Sequence, residues 1–156
     1  MGREIGRKFL VKGAFKDLAH SETRIVQGYL SSVPERTVRV RILGDAGFLT
    51  IKGIGNESGA SRFEWEQEIP VEDAQQLLEV CEPGIIDKVR YLVKYAGFVW
   101  EVDDFSGDNS ELVLAEIELP DEGMHFERPS WLGEEVTGDP RYYNSMLRKN
   151  PFNSWK

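Results

Sequence analysis

In the segment Arg62-Phe63-Glu64-Trp65-Glu66-Gln67-Glu68-Ile69, charged residues alternate with apolar ones, Gln67 apart. A period of two belongs to a β-strand, whose successive side chains point to opposite faces. Arg62, Glu64, Glu66 and Glu68 therefore share one face, and Phe63, Trp65 and Ile69 share the other. The same sorting recurs on both sides of this segment. Upstream, Glu4, Gly6 and Lys8 oppose Ile5, Phe9 and Val11, Arg39 and Arg41 oppose Val38, Val40 and Ile42, and Lys52 opposes Leu49 and Ile51. Downstream, Lys88 and Arg90 oppose Val89 and Tyr91, Glu101 and Asp103 oppose Trp100 and Val102, and Glu116 and Glu118 oppose Ala115, Ile117 and Leu119.

These patterns predict strands at about 4–12, 25–31, 35–43, 47–54, 61–69, 86–94, 97–104 and 112–119. Eight strands with mostly short connections make a mainly β (α+β) chain. They are enough for a closed, eight-stranded antiparallel β-barrel with flanking helices. One helix is expected from Pro70 to about Cys81, stopped by Pro83-Gly84. A second is expected from Asp139-Pro140, with Asp as N-cap and Pro at the first helical position, until Pro151 stops it. Residues 121–138 show no period and read as an ordered arm anchored by Phe126, Trp131 and Val136. The chain reads as a single domain, 1–156, with 121–156 as C-terminal arm and lid helix.

A single half-buried sheet with a solvated, salt-bridged face would explain any one of these strands. Solvated faces, however, usually mix in Ser, Thr, Asn and Gln. Here strand after strand carries pure carboxylate or pure cation pairs at i and i+2. Closing the sheet would turn that face inward and make a charged tunnel. Rows of Lys and Arg suit several phosphate oxygens. Rows of carboxylates suit a hard divalent cation such as Mg²⁺ or Mn²⁺. Together they describe a polyphosphate–metal complex.

The ordered set of segments resembles the CYTH domain, or triphosphate tunnel metalloenzyme superfamily. Glu4-Ile5-Gly6-Arg7-Lys8 is similar to its opening E-x-E-x-K strand. Arg39-Val40-Arg41, Leu49-Thr50-Ile51-Lys52, Glu64-Trp65-Glu66, Lys88-Val89-Arg90-Tyr91, Glu101-Val102-Asp103 and Glu116-Ile117-Glu118 follow in the family's order. The tail from Trp131 to Asn144 resembles that of short bacterial inorganic triphosphatases. The resemblance implies metal-dependent hydrolysis of inorganic triphosphate to pyrophosphate and phosphate, or action on another triphosphate-bearing small molecule. It assigns Lys8, Arg39, Arg41, Lys52, Lys88 and Arg90 to the phosphates, and Glu4, Glu116 and Glu118 to a metal. Glu64, Glu66 and Asp103 follow, as ligands of a second metal or through bridging waters. Class IV adenylyl cyclase and thiamine triphosphatase are the alternatives within enzymes. A non-catalytic polyphosphate- or nucleotide-binding module is the alternative outside them.

Gly6 departs from the pattern, which has a second glutamate there. A water could fill the gap in a slower enzyme. The residue could have been exchanged to trap substrate. The chain could bind polyphosphate without cleaving it. On the first account, Gly6→Glu would raise the rate.

The remaining features narrow the setting. A formal charge of -8 is a poor match to nucleic-acid binding, which needs clustered cations. No apolar run reaches the roughly 18 residues that span a bilayer, so no membrane role is expected. The first residues lack the apolar region of a signal peptide, and the single cysteine, Cys81, fits a reducing compartment. A cytoplasmic location follows as the expectation. His20 and His125 read as solvated, Cys81 as structural, and the tryptophans as core or cover. Gly53–Gly59 lacks the spacing of a P-loop. The oligomeric state, homodimer included, is left open.

Overall fold

The computed structural model describes residues 5–55, 62–121 and 123–155. In chain order the elements are β1 (Ile5–Val11), β2 (Ser21–Ser31), β3 (Arg36–Leu43), β4 (Ala46–Gly55), β5 (Arg62–Ile69), α1 (Val71–Glu79), β6 (Ile86–Tyr95), β7 (Phe98–Phe105), β8 (Val113–Leu119), β9 (Leu132–Glu135) and α2 (Asn144–Leu147). The eight expected strands are all present. The ninth, β9, lies inside the arm. The chain divides into two compact units, Met1–Thr23 with Lys88–Lys156, and Arg24–Asp87.

In the first unit the hydrogen-bonded order is β6-β7-β8-β1-β9. The β6–β7 hairpin turns through Ala96 and Gly97, both at positive φ (50° and 88°), joining Tyr95 to its partner Phe98. Two left-handed residues give a turn whose twist matches that of the strands. The apolar face holds the core: Phe9, Trp100, Val102, Ala115, Ile117 and Leu119 are all buried. The arm covers this face, as its apolar anchors suggest. Trp100 meets Phe9, Phe126 and Trp131 edge-on, at centroid distances of 5.6, 5.8 and 5.8 Å. β9 pairs antiparallel with β1, through Phe9↔Glu135 and Val11↔Leu132.

In the second unit the order is β5-β4-β3-β2, again antiparallel. Helix α1 packs on β3 and β4 with Ala74 fully buried. Its close approach needs Gly47, where a β-carbon would stand 2.8 Å from that of Ala74.

Two expectations change. The C-terminal helix is not continuous. A single 3₁₀ turn, Pro140–Tyr142, is followed by extended backbone at Tyr143 (φ -72°, ψ 137°) and then by α2. Asp139 does cap the start, accepting from the Arg141 amide at 3.1 Å, but contacts made by Tyr142 and Asn144 interrupt the helix. Hydrogen bonds among the described residues also do not close the sheet. β5 has β4 as its one strand neighbour and β9 has β1, so both are edges. No helix among these residues is long and apolar enough to cross a membrane.

Candidate active site

Paired positions on neighbouring antiparallel strands present their side chains on the same face. In the first unit Arg90 on β6 stands opposite Asp103 on β7. Glu101 on β7 stands opposite Glu116 on β8. Glu116 and Glu118 stand opposite Lys8 and Gly6 on β1. Lys8, Lys88, Arg90, Glu101, Asp103, Glu116 and Glu118 thus line one face, reverse to the aromatic core.

Asp103 organises the cations of this face. It accepts from Arg90 through Nε at 2.8 Å and Nη2 at 3.0 Å. Its Oδ2 is also 2.8 Å from Lys88 Nζ. Both lysine and aspartate are buried. Lys88 donates further to Asn144 Oδ1 at 2.9 Å, and Arg90 lies 3.5 Å from Glu101. Burial pushes the Lys88 ammonium below its ordinary pKa, against the pull of Asp103, and the charges of Arg90 and Lys8 push the same way. Burial also works against the Asp103 carboxylate, but the Arg90 hydrogen bonds and the two cations outweigh it and hold this group below its ordinary value. Lys8 donates to the Tyr142 carbonyl at 3.4 Å and sits 5.6 Å from the Tyr143 ring centre. The C-terminal turns therefore supply neutral acceptors to both lysines.

In the second unit Arg39 and Arg41 on β3 share a face with Thr50 and Lys52 on β4 and with Glu64 and Glu66 on β5. Arg39 opposes Thr50, Thr50 opposes Glu66, and Lys52 opposes Glu64. Thr50 donates to Glu66 at 2.9 Å. Tyr29, Thr37, Arg39, Thr50 and Lys52 enclose a niche of about 40 Å³. The Arg39 Nε is buried there without a hydrogen-bond partner among the described residues. A buried donor without an acceptor is costly, and an anionic oxygen entering the niche would satisfy it.

Each predicted cation and each predicted carboxylate within the described residues falls on one of these two faces. Glu4 is not among the described residues. Asp103, which the resemblance groups with the metal-facing carboxylates, has both oxygens engaged by Arg90 and Lys88. Among the described residues no three His, Cys, Asp or Glu side chains converge as a ready cation cage. The donors facing that region are Glu116 and Glu118, hard carboxylate oxygens suited to Mg²⁺ or Mn²⁺. A β-carbon at Gly6 would fall on Glu116 Oε2, so open space on β1 is matched by a carboxylate reaching into it. This donor chemistry fits a divalent cation.

Sequence reasoning missed Thr50 and Asn144. Thr50 shares the strand period with Lys52, a signal lost when only charges are counted. Asn144 reaches Lys88 across 56 positions of sequence, and nothing local announces it.

A model of the CYTH domain matches residues 2–143. The chain is 51% identical to an inorganic triphosphatase of Acetivibrio thermocellus, covering 100% of this chain and 99% of the relative. It is 38% identical to an inorganic triphosphatase of Nitrosomonas europaea, covering 92% and 95%. The crystal structure of an inorganic triphosphatase superposes with a TM-score of 0.77 at 35% identity, covering 95% of each chain.

Proposed function

Because the chain belongs to the CYTH domain family, we propose that it hydrolyses inorganic triphosphate to pyrophosphate and phosphate with a divalent metal. The observation that carries this reading is the buried Lys88–Asp103 pair with half-buried Arg90, cations preset by a carboxylate on the same face as an acidic row. Fixed cations of this kind stabilise charge that builds on phosphoryl oxygens without reorganising during the reaction.

Lys8, Arg39, Arg41, Lys52, Lys88 and Arg90 are the cations that the family resemblance assigns to phosphate oxygens. Glu116 and Glu118, with Glu4, would hold Mg²⁺ or Mn²⁺, which would supply charge withdrawal from the substrate. Water attacks the terminal phosphorus in line with the bridging oxygen. A new P–O bond forms, the bridging P–O bond breaks, and pyrophosphate leaves. Glu64 and Glu66, exposed on β5, are the carboxylates we assign to orienting that water and taking its proton. Tyr142 and Asn144, which occupy Lys8 and Lys88, give the C-terminal turns the role of a lid whose acceptors yield to phosphate.

The test is phosphate release from triphosphate, ATP and thiamine triphosphate, each with Mg²⁺ or Mn²⁺. Triphosphate is expected to be the fastest substrate and EDTA to abolish release. Faster turnover of either organic substrate would replace the assignment. Gly6 favours a second reading, a binding module. It would be established by a triphosphate-induced rise in Tm with no turnover of any of the three.

A further inference from the structure

Arg7 and Lys8 are neighbours on β1 and point to opposite faces, and the arm takes hold of both. Arg7 lies on the aromatic side, 4.9 Å from the Phe126 ring centre. It gives Glu135 a two-pronged hydrogen bond, through Nε at 2.9 Å and Nη2 at 2.7 Å. Lys8, on the charged side, is met by three later residues of the same segment. Val136 donates its N–H to the Lys8 carbonyl at 2.8 Å. The Thr137 hydroxyl accepts from the Lys8 N–H at 2.9 Å. The Tyr142 carbonyl accepts from the Lys8 ammonium at 3.4 Å.

The Thr137 contact is made where the sheet leaves off. β9 ends at Glu135, and its pairing with β1 begins at Phe9. On its other edge β1 pairs with β8 all the way from Ile5 to Leu10. From Lys8 toward Ile5, β1 therefore has one strand neighbour among the described residues, and Thr137 supplies support on the second edge. The single proton of its hydroxyl is committed. Glu135 Oε2, an acceptor only, lies 2.7 Å away. The Lys8 carbonyl lies 3.4 Å away and already accepts from Val136. With its proton on Glu135, the hydroxyl turns a lone pair to the Lys8 N–H. Arg7 fixes the carboxylate, the carboxylate orients the hydroxyl, and the hydroxyl holds the amide. Each bond in such a chain polarises the next.

We propose that Thr137 is a positioning residue for Lys8: its hydroxyl, set by Glu135 and Arg7, pins the backbone from which the Lys8 ammonium reaches the substrate. The inference rests on the reading of Lys8 as a phosphate-binding cation. A lysine carries its charge at the end of a flexible four-carbon stem, so a firmly held backbone narrows where that charge can stand. A cation set in place beforehand stabilises phosphoryl charge without reorganising. Thr137 acts on phosphate through Lys8 alone.

Inorganic triphosphate in EDTA is the probe, its Kd read by titration calorimetry. The full chain is compared with its Thr137→Val, Thr137→Ser, Lys8→Ala and Thr137→Val/Lys8→Ala variants. Valine keeps the shape of threonine and removes the hydroxyl, and serine keeps the hydroxyl. Alanine at position 8 keeps the N–H that Thr137 accepts from and removes the ammonium. Thr137→Val is expected to weaken binding about 5-fold, the scale of one hydrogen bond, and Thr137→Ser to restore most of that loss. In the Lys8→Ala background the valine is expected to cost nothing further, whereas a role in holding the arm alone would weaken both backgrounds alike. Equal binding by Thr137→Val, no restoration by serine, the same loss with and without Lys8, or failure of Thr137→Val to fold would each overturn the inference and leave the phosphate site standing. Lys8→Ala binding as tightly as the unaltered chain would remove Lys8 from that site, and the inference with it. Absence of triphosphate binding by the unaltered chain would remove the phosphate site and the inference together.

Discussion

Asn in place of Asp103 keeps the side chain's shape and removes its charge, which isolates what that charge contributes. Asp103 engages Arg90 at 2.8 and 3.0 Å and Lys88 at 2.8 Å. The Lys88 and Asp103 side chains are 4% and 10% exposed. Breaking a buried ion pair by removing one partner costs about 3–5 kcal/mol, because the remaining charge is left uncompensated. Three features place this case at the lower end. Arg90 keeps Glu101 at 3.5 Å and is 25% exposed. Lys88 keeps the Asn144 acceptor at 2.9 Å. Lys88, already below its ordinary pKa through burial, can also shed its proton. A loss of about 3 kcal/mol, at roughly 2–4 °C per kcal/mol for a chain of this length, predicts a fall in Tm of about 6–12 °C near neutral pH. The sign of the pH dependence follows from Lys88. Without Asp103 its folded-state pKa drops further below the unfolded value of 10.5. Stability is then regained as pH rises through the folded pKa toward the unfolded one. The deficit of Asp103→Asn should therefore narrow on the alkaline side. Calorimetric Tm across a pH series, with and without triphosphate, reads all of this. Triphosphate should raise the Tm of the variant more than that of the parent, since an anion replaces the missing charge. A fall under 2 °C, about 1 kcal/mol or less, with no pH dependence would refute the assignment of Asp103 as the holder of these cations.

Glu135 offers an acid-side counterpart. Its two-pronged hydrogen bond from Arg7, at 2.9 and 2.7 Å, is the main reason its pKa falls from 4.5 to about 2. The stability this provides is complete above about pH 4.5 and lost as pH falls toward 2. Glu135→Gln should flatten that limb of a Tm–pH curve, and an unchanged limb would show that other carboxylates govern it. Phe126 fastens the arm, meeting Phe9 and Trp100 at 6.0 and 5.8 Å, with Arg7 4.9 Å from its ring centre. Phe126→Ala should cost about 3 kcal/mol in urea unfolding, and a loss below about 1 kcal/mol would mean the arm is held elsewhere.

Much of the fold was legible because strand alternation is a local property. Glu64 and Glu66 against Trp65, or Arg39 and Arg41 against Val40, declare a strand and sort its faces whatever lies beside it. That is why the eight strands, the first helix and the charged face could be read from the amino acids, along with the apolar anchors Phe126, Trp131 and Val136. What stayed hidden depends on register and on contacts distant in sequence. Arg90 meets Asp103 because a turn at Ala96-Gly97 sets the hairpin register, and Ala96 carries no signal for positive φ. β9 exists because residues over 120 positions away pair with β1. The last helix breaks at Tyr143, flanked by Tyr142 and Asn144, which bind Lys8 and Lys88 from distant strands. Gly6 reads alone as a deletion from a motif. Only the reach of Glu116 across the neighbouring strand shows that its space is filled. Side-chain direction along a strand is set by the chain's own stereochemistry. The partner each charge meets is set by packing that brings distant segments together.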